Sequence, residues 1–215
     1  MKTEIFKFEY GIFDTDGTLL DDRKLYRWIL PKILSLGFSV KDAELYLPTG
    51  GLPLPRWAKF LQQIPGLTQF VLATERGILK LADLLNASRP KLFEGTEEAL
   101  SQLSQKGIKL FVTTGSKTTK ATWYLERAGI LIFFTVIAGS EMPKREHIPY
   151  FASRVGLSLE EFAKKAFLVS DGPVNLALAS KYGIYPVGIT NTLNSQFLSK
   201  NGAQKVISNL GELLE

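Results

Sequence analysis

Apolar runs of strand length alternate with amphipathic helical segments along the C-terminal part of the chain. The alternation predicts parallel strands joined by right-handed helical crossovers, and hence an α/β fold with a sheet covered on both faces. An N-terminal run that ends at Phe13 is expected to join the same sheet. The strand-like runs are IKLFVTT, FFTVIAG, AFLVSD and IYPVGIT, and the helical segments are TEEALSQLSQKG, TKATWYLERAG, SLEEFAKK and VNLALASKYG.

Helix boundaries are signalled by capping residues. Thr96 is expected to be the N-cap of the first of these helices, with acidic residues in the first turn and Gly107 as its stop. Ser158 and Glu161 have the spacing of a capping box, in which each side chain bonds the other's main chain.

Residues 20–90 have a different pattern, because they contain helical segments and no strand-like run. A Pro- and Gly-rich stretch, LPTGGLPLPR, interrupts them as a loop. We therefore predict a core domain made of 1–19 and 91–215, with a helical cap domain inserted at 20–90.

Composition excludes several classes of protein. The 215 residues are 45% hydrophobic and 22% charged, contain no cysteine and carry a net charge of +5. A disulfide framework and a thiolate metal site are therefore excluded, and the mild, dispersed positive charge does not indicate nucleic acid. The longest apolar run is about half the length needed to span a bilayer. We expect a cytoplasmic protein that binds neither membrane nor nucleic acid; the oligomeric state cannot be read from the sequence.

Two aspartates, Asp14 and Asp16, follow the first apolar run directly, in YGIFDTDGT. A simple turn is one explanation, because Asp and Gly are turn formers. A calcium loop of the EF-hand type is excluded, because its required Gly and Glu positions hold Leu19 and Leu25. The position after a strand favours a functional site, since ligands of open α/β sheets bind at the carboxyl ends of strands.

Two later strands also end in polar residues. One ends in Thr113 and Thr114, followed by Gly115, and the other ends in Ser170 and Asp171. In a parallel sheet these ends converge with the aspartate pair at one edge. Neighbouring carboxylates repel unless a cation relieves them, and Mg²⁺ suits carboxylates together with a phosphate.

The chain resembles the haloacid dehalogenase-like hydrolases at these positions. DTDGTLLD is similar to their first motif, LFVTTGS to the second and LVSDGPVN to the fourth. The resemblance covers nearly the whole chain and implies a Rossmann-like core. The segment after the first motif looks like the four-helix cap of the phosphoglycolate phosphatase and β-phosphoglucomutase branch.

The resemblance implies a mechanism. Asp14 would attack phosphorus to form an aspartyl phosphate, and Asp16 would protonate the leaving alcohol and later activate water. Mg²⁺ would be held by Asp14, Asp171 and the backbone carbonyl of Asp16. Thr113 and a lysine would bind and neutralise the phosphoryl oxygens. Hydroxyls and N–H groups of Gly17, Thr114 and Gly115 suit the same oxygens.

The third and fourth motifs depart from the family pattern. The third should supply a Lys, and both Lys144 and Arg145 are candidates: counting back from PYF favours Arg145, and chemistry favours Lys144. His147, close by, is expected at the surface. In the fourth motif Ser170 replaces a common Gly, and Asn175 replaces a frequent acid. Asn175 could still bond a metal-bound water.

Arg56, in the predicted cap, is a candidate contact for an anionic group of the substrate. The alternative is a solvated residue at the start of an amphipathic helix. The expected function is a Mg²⁺-dependent phosphatase of a small phosphorylated metabolite. The alternatives are a sugar phosphomutase of the same family, or a catalytically weak protein that binds a phosphorylated ligand or a partner.

Overall fold

The computed structural model describes residues 4–21 and 91–215. The chain divides into two compact units, Met1–Asp21 with Lys91–Glu215 and Asp22–Pro90. The predicted cap at 20–90 lies outside the described residues except for Leu20 and Asp21. The division into a core and a cap domain therefore stays a prediction.

Six parallel strands form one sheet in the described residues. In chain order they are β1 (Tyr10–Asp14), β2 (Lys109–Thr113), β3 (Phe134–Ala138), β4 (Ala166–Ser170), β5 (Tyr185–Ile189) and β6 (Lys205–Ile207). Their spatial order is β3-β2-β1-β4-β5-β6. The predicted α/β fold with a Rossmann-like parallel core is confirmed.

Helices connect the strands. The α-helices of the described residues are α1 (Thr96–Gln105), α2 (Thr118–Arg127), α3 (Lys144–Arg154), α4 (Leu159–Lys164), α5 (Pro173–Tyr182) and α6 (Ser195–Lys200). Short 3₁₀-helices span Glu4–Lys7, Leu131–Phe133 and Leu210–Leu213. No helix among the described residues is long and apolar enough to cross a membrane.

One predicted cap is confirmed and one is wrong. Ser158 and Glu161 form the capping box at the start of α4. Thr96, in contrast, is the first residue of α1, and Gly95 occupies the N-cap with a φ of 76°. The helix starts one residue earlier than expected, and Thr96 Oγ1 is left buried without a hydrogen-bond partner in the described residues.

Large aromatic side chains form much of the core. Phe111, Phe151 and Phe162 are fully buried and pack together with the β1 residue Tyr10. Burial of a Phe side chain contributes about 1.5–3 kcal/mol. This packing fixes β1 and β2 against α3 and α4, and so fixes the strand ends that carry the predicted site.

The strand order reverses at β1, which lies between β2 and β4. Asp14 is the register partner of Thr113 on one side, and β4 ends at Ser170 on the other. Ligands of open α/β sheets bind at such a switch point, beyond the carboxyl ends of the strands.

The chain leaves and re-enters this unit at adjacent points. The N–H of Asp21 donates to the carbonyl of Lys91 at 2.7 Å, and Phe93 N donates to Leu19 O at 3.1 Å. Residues 22–90 are therefore inserted into the loop after β1 without separating the strands.

Candidate active site

Asp14 ends β1 and is the centre of the polar cluster. Its residue is 8% exposed, whereas Asp16, two positions on, is exposed. The N–H of Thr15 donates to Asp14 Oδ1 at 3.0 Å. The two aspartates thus have separate environments, because Asp14 is buried and Asp16 is exposed.

The second carboxylate oxygen of Asp14 accepts two side-chain hydrogen bonds. Ser170 Oγ donates at 3.0 Å and Asn175 Nδ2 at 2.5 Å. Ser170 Oγ in turn accepts from Asn175 Nδ2 and from the N–H of Gly172, both at 3.1 Å. A hydroxyl has one proton, so this arrangement commits the Ser170 proton to Asp14.

Lys144, the first residue of α3, reaches the same cluster. Its Nζ lies 3.8 Å from Asp14 Oδ1 and donates to Asn175 Oδ1 at 3.2 Å. The Asn175 amide must therefore turn its nitrogen to the Asp14 carboxylate and its oxygen to the Lys144 ammonium. In the flipped orientation the amide oxygen would face the carboxylate and the amide N–H groups would face the ammonium, and neither pair could form a hydrogen bond. Asn175 orients both charged groups. Its oxygen accepts from Lys144 Nζ, and its predicted bond to a metal-bound water stays a prediction.

Arg145 is not brought to this cluster. Its side chain is 68% exposed, against 30% for Lys144, and it pairs with Glu146 at 3.4 Å. Its backbone carbonyl accepts from Tyr182 on α5. In a helix, the side chains of consecutive residues are rotated by about 100° from each other, so only one of the two can face β1.

Asp171 lies directly after β4 and is 2% exposed. Thr18 Oγ1 donates to one of its oxygens at 3.2 Å, and Thr192 Oγ1 to the other at 2.6 Å. Burial raises the pKa of Asp171 to about 7, and the charge of Asp14 acts in the same direction. The two hydroxyl bonds only partly offset these effects.

Gly17 makes room for the Asp171 carboxylate. Its φ is +73°, and a Cβ built there would lie 2.0 Å from Asp171 Oδ2. Any other residue would face both a left-handed backbone and a direct clash. Gly115, the second predicted glycine, lies near Lys144: its Cβ would stand 4.0 Å from Lys144 Cε.

Thr113, the last residue of β2, and Thr114, which follows it, both have buried hydroxyls with hydrogen-bond partners. Thr113 Oγ1 lies 2.7 Å from His147 Nδ1, and Thr114 Oγ1 lies 2.8 Å from Thr15 Oγ1. The expectation that His147 is a surface residue is wrong, because it is 1% exposed. It lies on the inner face of α3 with Ile148 and Phe151, a placement that local sequence does not reveal.

The oxygen donors at this edge fit Mg²⁺. They are the carboxylates of Asp14 and Asp171 and the main-chain carbonyl of Asp16, all hard ligands. Among residues 4–21 and 91–215, no group of three or more His, Cys, Asp or Glu side chains converges as a metal cluster. Two carboxylates and a carbonyl do not require such a group, because Mg²⁺ completes its shell with water and substrate phosphate.

Sequence reasoning missed three features of the cluster. The only sequence signal for the hydrogen bond from Ser170 to Asp14 was that Ser170 replaces the common Gly of the fourth motif. Thr192 follows β5, so the strand-end argument applied to the other strands could have found it. Thr18 lies within the first motif, but its bonds to Asp171 depend on the tertiary fold. Arg56 lies outside the described residues.

Comparisons with known proteins show what the chain is similar to. The family described as haloacid dehalogenase-like hydrolase matches residues 11–189. The chain is 27% identical over 187 residues to the "Probable phosphatase IndB" of Dickeya dadantii, covering 83% of this chain and 80% of that protein. It is 24% identical over 195 residues to the validoxylamine A 7′-phosphate phosphatase of Streptomyces hygroscopicus, covering 90% and 91%.

A solved structure shares the fold. The protein described as a predicted phosphoglycolate phosphatase from Haemophilus somnus superposes with a TM-score of 0.76 at 18% identity, covering 97% of each chain. Because the family match spans most of the chain, the predicted hydrolase of the phosphatase type is confirmed. The chain belongs to the haloacid dehalogenase-like hydrolases.

Proposed function

We propose that the protein is a Mg²⁺-dependent phosphatase that hydrolyses a small phosphomonoester through an aspartyl phosphate on Asp14. The observation that carries the proposal is the immobilised Asp14 carboxylate at the switch point of the sheet. Ser170 and Asn175 bond one of its oxygens, and Lys144 lies 3.8 Å from the other. A nucleophile held in one orientation loses little entropy on reaching the transition state.

The residues divide the chemistry between them. Asp14 attacks phosphorus, and the charge of Lys144 stabilises the negative charge that collects on the phosphoryl oxygens. Asp16 is exposed, as a group that protonates a leaving alcohol and then takes a proton from water should be. Asp14, Asp171 and the Asp16 carbonyl would hold Mg²⁺, which would supply further positive charge at these oxygens when bound.

The substrate is proposed only as a class. The names of similar proteins refer to different phosphate esters, validoxylamine A 7′-phosphate in one and phosphoglycolate in another. We propose that specificity lies outside the cluster around Asp14, with Arg56 as the candidate for it in this chain. We propose that the substrate is a small phosphorylated metabolite of the cytoplasm with a second anionic group.

A phosphomonoester screen tests the function. Purified protein is assayed for release of inorganic phosphate with Mg²⁺ and again with a chelator, and Asp14→Asn is the matched variant. We expect turnover that depends on Mg²⁺ and is lost in Asp14→Asn, because an amide is a poor nucleophile. A folded Asp14→Asn protein with more than about a hundredth of the wild-type kcat, a loss of less than about 2.7 kcal/mol, would rule out covalent catalysis at Asp14.

A phosphomutase is separated from a phosphatase by a second assay. A mutase of this chemistry needs a bisphosphate activator and transfers the phosphoryl group to another hydroxyl of the sugar. We expect release of phosphate without an activator. A catalytically weak binding protein would bind phosphate esters in calorimetry but release no phosphate.

A further inference from the structure

Thr113 and His147 share a hydrogen bond whose direction can be determined. His147 Nε2 lies 3.1 Å from the carbonyl oxygen of Gly139 and 3.2 Å from that of Met142. Carbonyl oxygens only accept, so Nε2 carries a proton. A neutral imidazole has one N–H, which leaves Nδ1 as an acceptor. When the ring is neutral, Thr113 Oγ1, at 2.7 Å, therefore donates its proton to Nδ1.

This direction matters because Thr113 is the register partner of Asp14. With its proton committed to His147, the Thr113 hydroxyl can present only lone pairs to a phosphoryl oxygen. Two groups that both accept repel each other. The bond has to reverse before Thr113 can donate to the anion, and reversal requires a proton on Nδ1.

We propose that His147 is a positioning residue that sets the direction of the Thr113 hydrogen bond and thereby links anion binding beside Asp14 to the uptake of one proton. The proposal rests on the proposed function, since it takes that site to hold a phosphate group. A proton from solvent adds to Nδ1, and Nδ1–H then donates to Thr113 Oγ1. The Thr113 hydroxyl proton turns to the phosphoryl oxygen.

The surroundings favour the neutral ring when no anion is bound. Burial holds the pKa of His147 below its usual range, and the charge of Lys144, one turn earlier on α3, acts in the same direction. The carbonyls of Met142 and Gly139 and the charge of Asp14 on β1 oppose this. A bound dianion adds negative charge and a hydrogen-bond acceptor, and both favour the protonated ring.

His147 is the only histidine in the sequence, so its resonances need no assignment once any affinity tag is removed. Long-range ¹H–¹⁵N correlation spectra of the ¹⁵N-labelled full chain with Mg²⁺ are recorded from pH 5 to 9, with and without inorganic phosphate. We expect the Nε2–H tautomer at high pH and a rise in the His147 pKa when phosphate binds. The Nδ1–H tautomer at high pH would overturn the proposal, and so would an unmoved pKa in the phosphate complex.

Variants of Thr113 separate this linkage from a structural role. Sulfate, whose charge is constant over this range, is titrated into wild type, Thr113→Ser and Thr113→Val. One linked proton makes the affinity fall by up to about tenfold per pH unit above the His147 pKa of the free protein. We expect this slope in wild type and Thr113→Ser and its loss in Thr113→Val; an unchanged slope in folded Thr113→Val overturns the proposal.

The tautomer of His147 is measured without substrate, so the outcome of that measurement does not depend on the proposed function. If neither anion shifts any resonance, the proposed function fails at its anion site and the linkage falls with it. If anions bind and phosphate esters are hydrolysed but the His147 pKa does not move, only the linkage fails.

Discussion

Lys144 Nζ lies 3.8 Å from Asp14 Oδ1, with the amide of Asn175 bonded to both residues. We expect Lys144→Ala to lower kcat/KM by roughly ten- to a thousandfold, as loss of a charged contact in a partly water-excluded site should. Arg145→Ala is the matched control and should be mild, because Arg145 is exposed and pairs with Glu146. The reverse pattern would move the third motif by one residue. Steady-state kinetics on one phosphomonoester measures both variants.

Asp16→Asn should separate acid–base catalysis from metal binding. We expect kcat to fall about 10²–10⁴-fold, with Mg²⁺ affinity largely retained because the proposed metal ligand is the main-chain carbonyl. p-Nitrophenyl phosphate should lose less than an alkyl phosphate in the first step, because its leaving group needs no proton. Rapid-quench measurement of phosphoryl transfer tests this, and equal losses for both substrates would count against the acid role.

Ser170→Ala should reduce kcat by about tenfold. A hydrogen bond to a charged group contributes about 1.5–3 kcal/mol, and about 1.4 kcal/mol corresponds to a factor of ten. Without the hydroxyl, Asp14 Oδ2 keeps only the Asn175 bond and the carboxylate gains rotational freedom. Ser153→Ala, an exposed hydroxyl on α3 that bonds a backbone carbonyl, is the control and should leave kcat unchanged. Equal kcat for both variants would show that Ser170 does not position Asp14.

Asp171→Asn should stabilise the protein in EDTA, and more so as pH rises. The folded pKa of Asp171 is raised to about 7 from an ordinary 3.8, so between these values the folded state holds a proton that the unfolded state has lost. Stability from this group is therefore present at low pH and falls as pH rises through the window. The Tm difference between variant and wild type, measured at pH 5 and 8, should grow with pH.

His147 contributes in the opposite direction to that pH dependence but is common to both proteins. Its pKa is lowered in the folded protein, so the stability that it contributes is lost as pH falls below its ordinary pKa of 6.5. This contribution cancels when the Tm of wild type is subtracted from that of the variant. Added Mg²⁺ should raise the Tm of wild type more than that of Asp171→Asn. A Tm difference independent of both pH and Mg²⁺ would contradict the role of Asp171.

Arg56→Ala should raise KM for a substrate with a second anionic group far more than for p-nitrophenyl phosphate. A guanidinium binds a carboxylate or a second phosphate through two parallel hydrogen bonds, and p-nitrophenyl phosphate offers no such group. Both substrates are compared in steady-state assays of wild type and variant. Equally small losses would make Arg56 a solvated helix residue, and equally large losses would place it at the transferred phosphoryl group or in cap closure.

The strand-end argument predicted where the polar residues meet, because it depends only on parallel pairing. The strands up to β5 were visible as apolar runs, and Asp14, Thr113 and Asp171 follow from three of them. β6 was not predicted, since a strand of three residues, Lys205–Ile207, of which only Ile207 is fully buried, carries too little pattern. Its position becomes clear only from pairing with β5.

Side-chain partners could not be predicted to the same extent. In the sequence, His147 is a polar residue close to a predicted loop, which indicates a surface position. Only the packing of α3 against β2 buries it beside Thr113. Thr96 fits the composition of an N-cap, but the left-handed Gly95 before it begins the helix one residue earlier. Both cases depend on backbone paths that spacing in the sequence does not encode.

The bond between Asp21 and Lys91 has an evolutionary consequence. Because the chain leaves this unit at Asp21 and returns next to it at Lys91, the intervening segment can be lengthened, shortened or exchanged by recombination without altering the register of β1 with its neighbours. The entropic cost of closing a longer segment between Asp21 and Lys91 rises slowly, by about 0.6 kcal/mol for each doubling of its length. Under the proposal that Arg56 contacts the substrate, substrate preference could change within residues 22–90 while the proposed chemistry stays with Asp14 on β1.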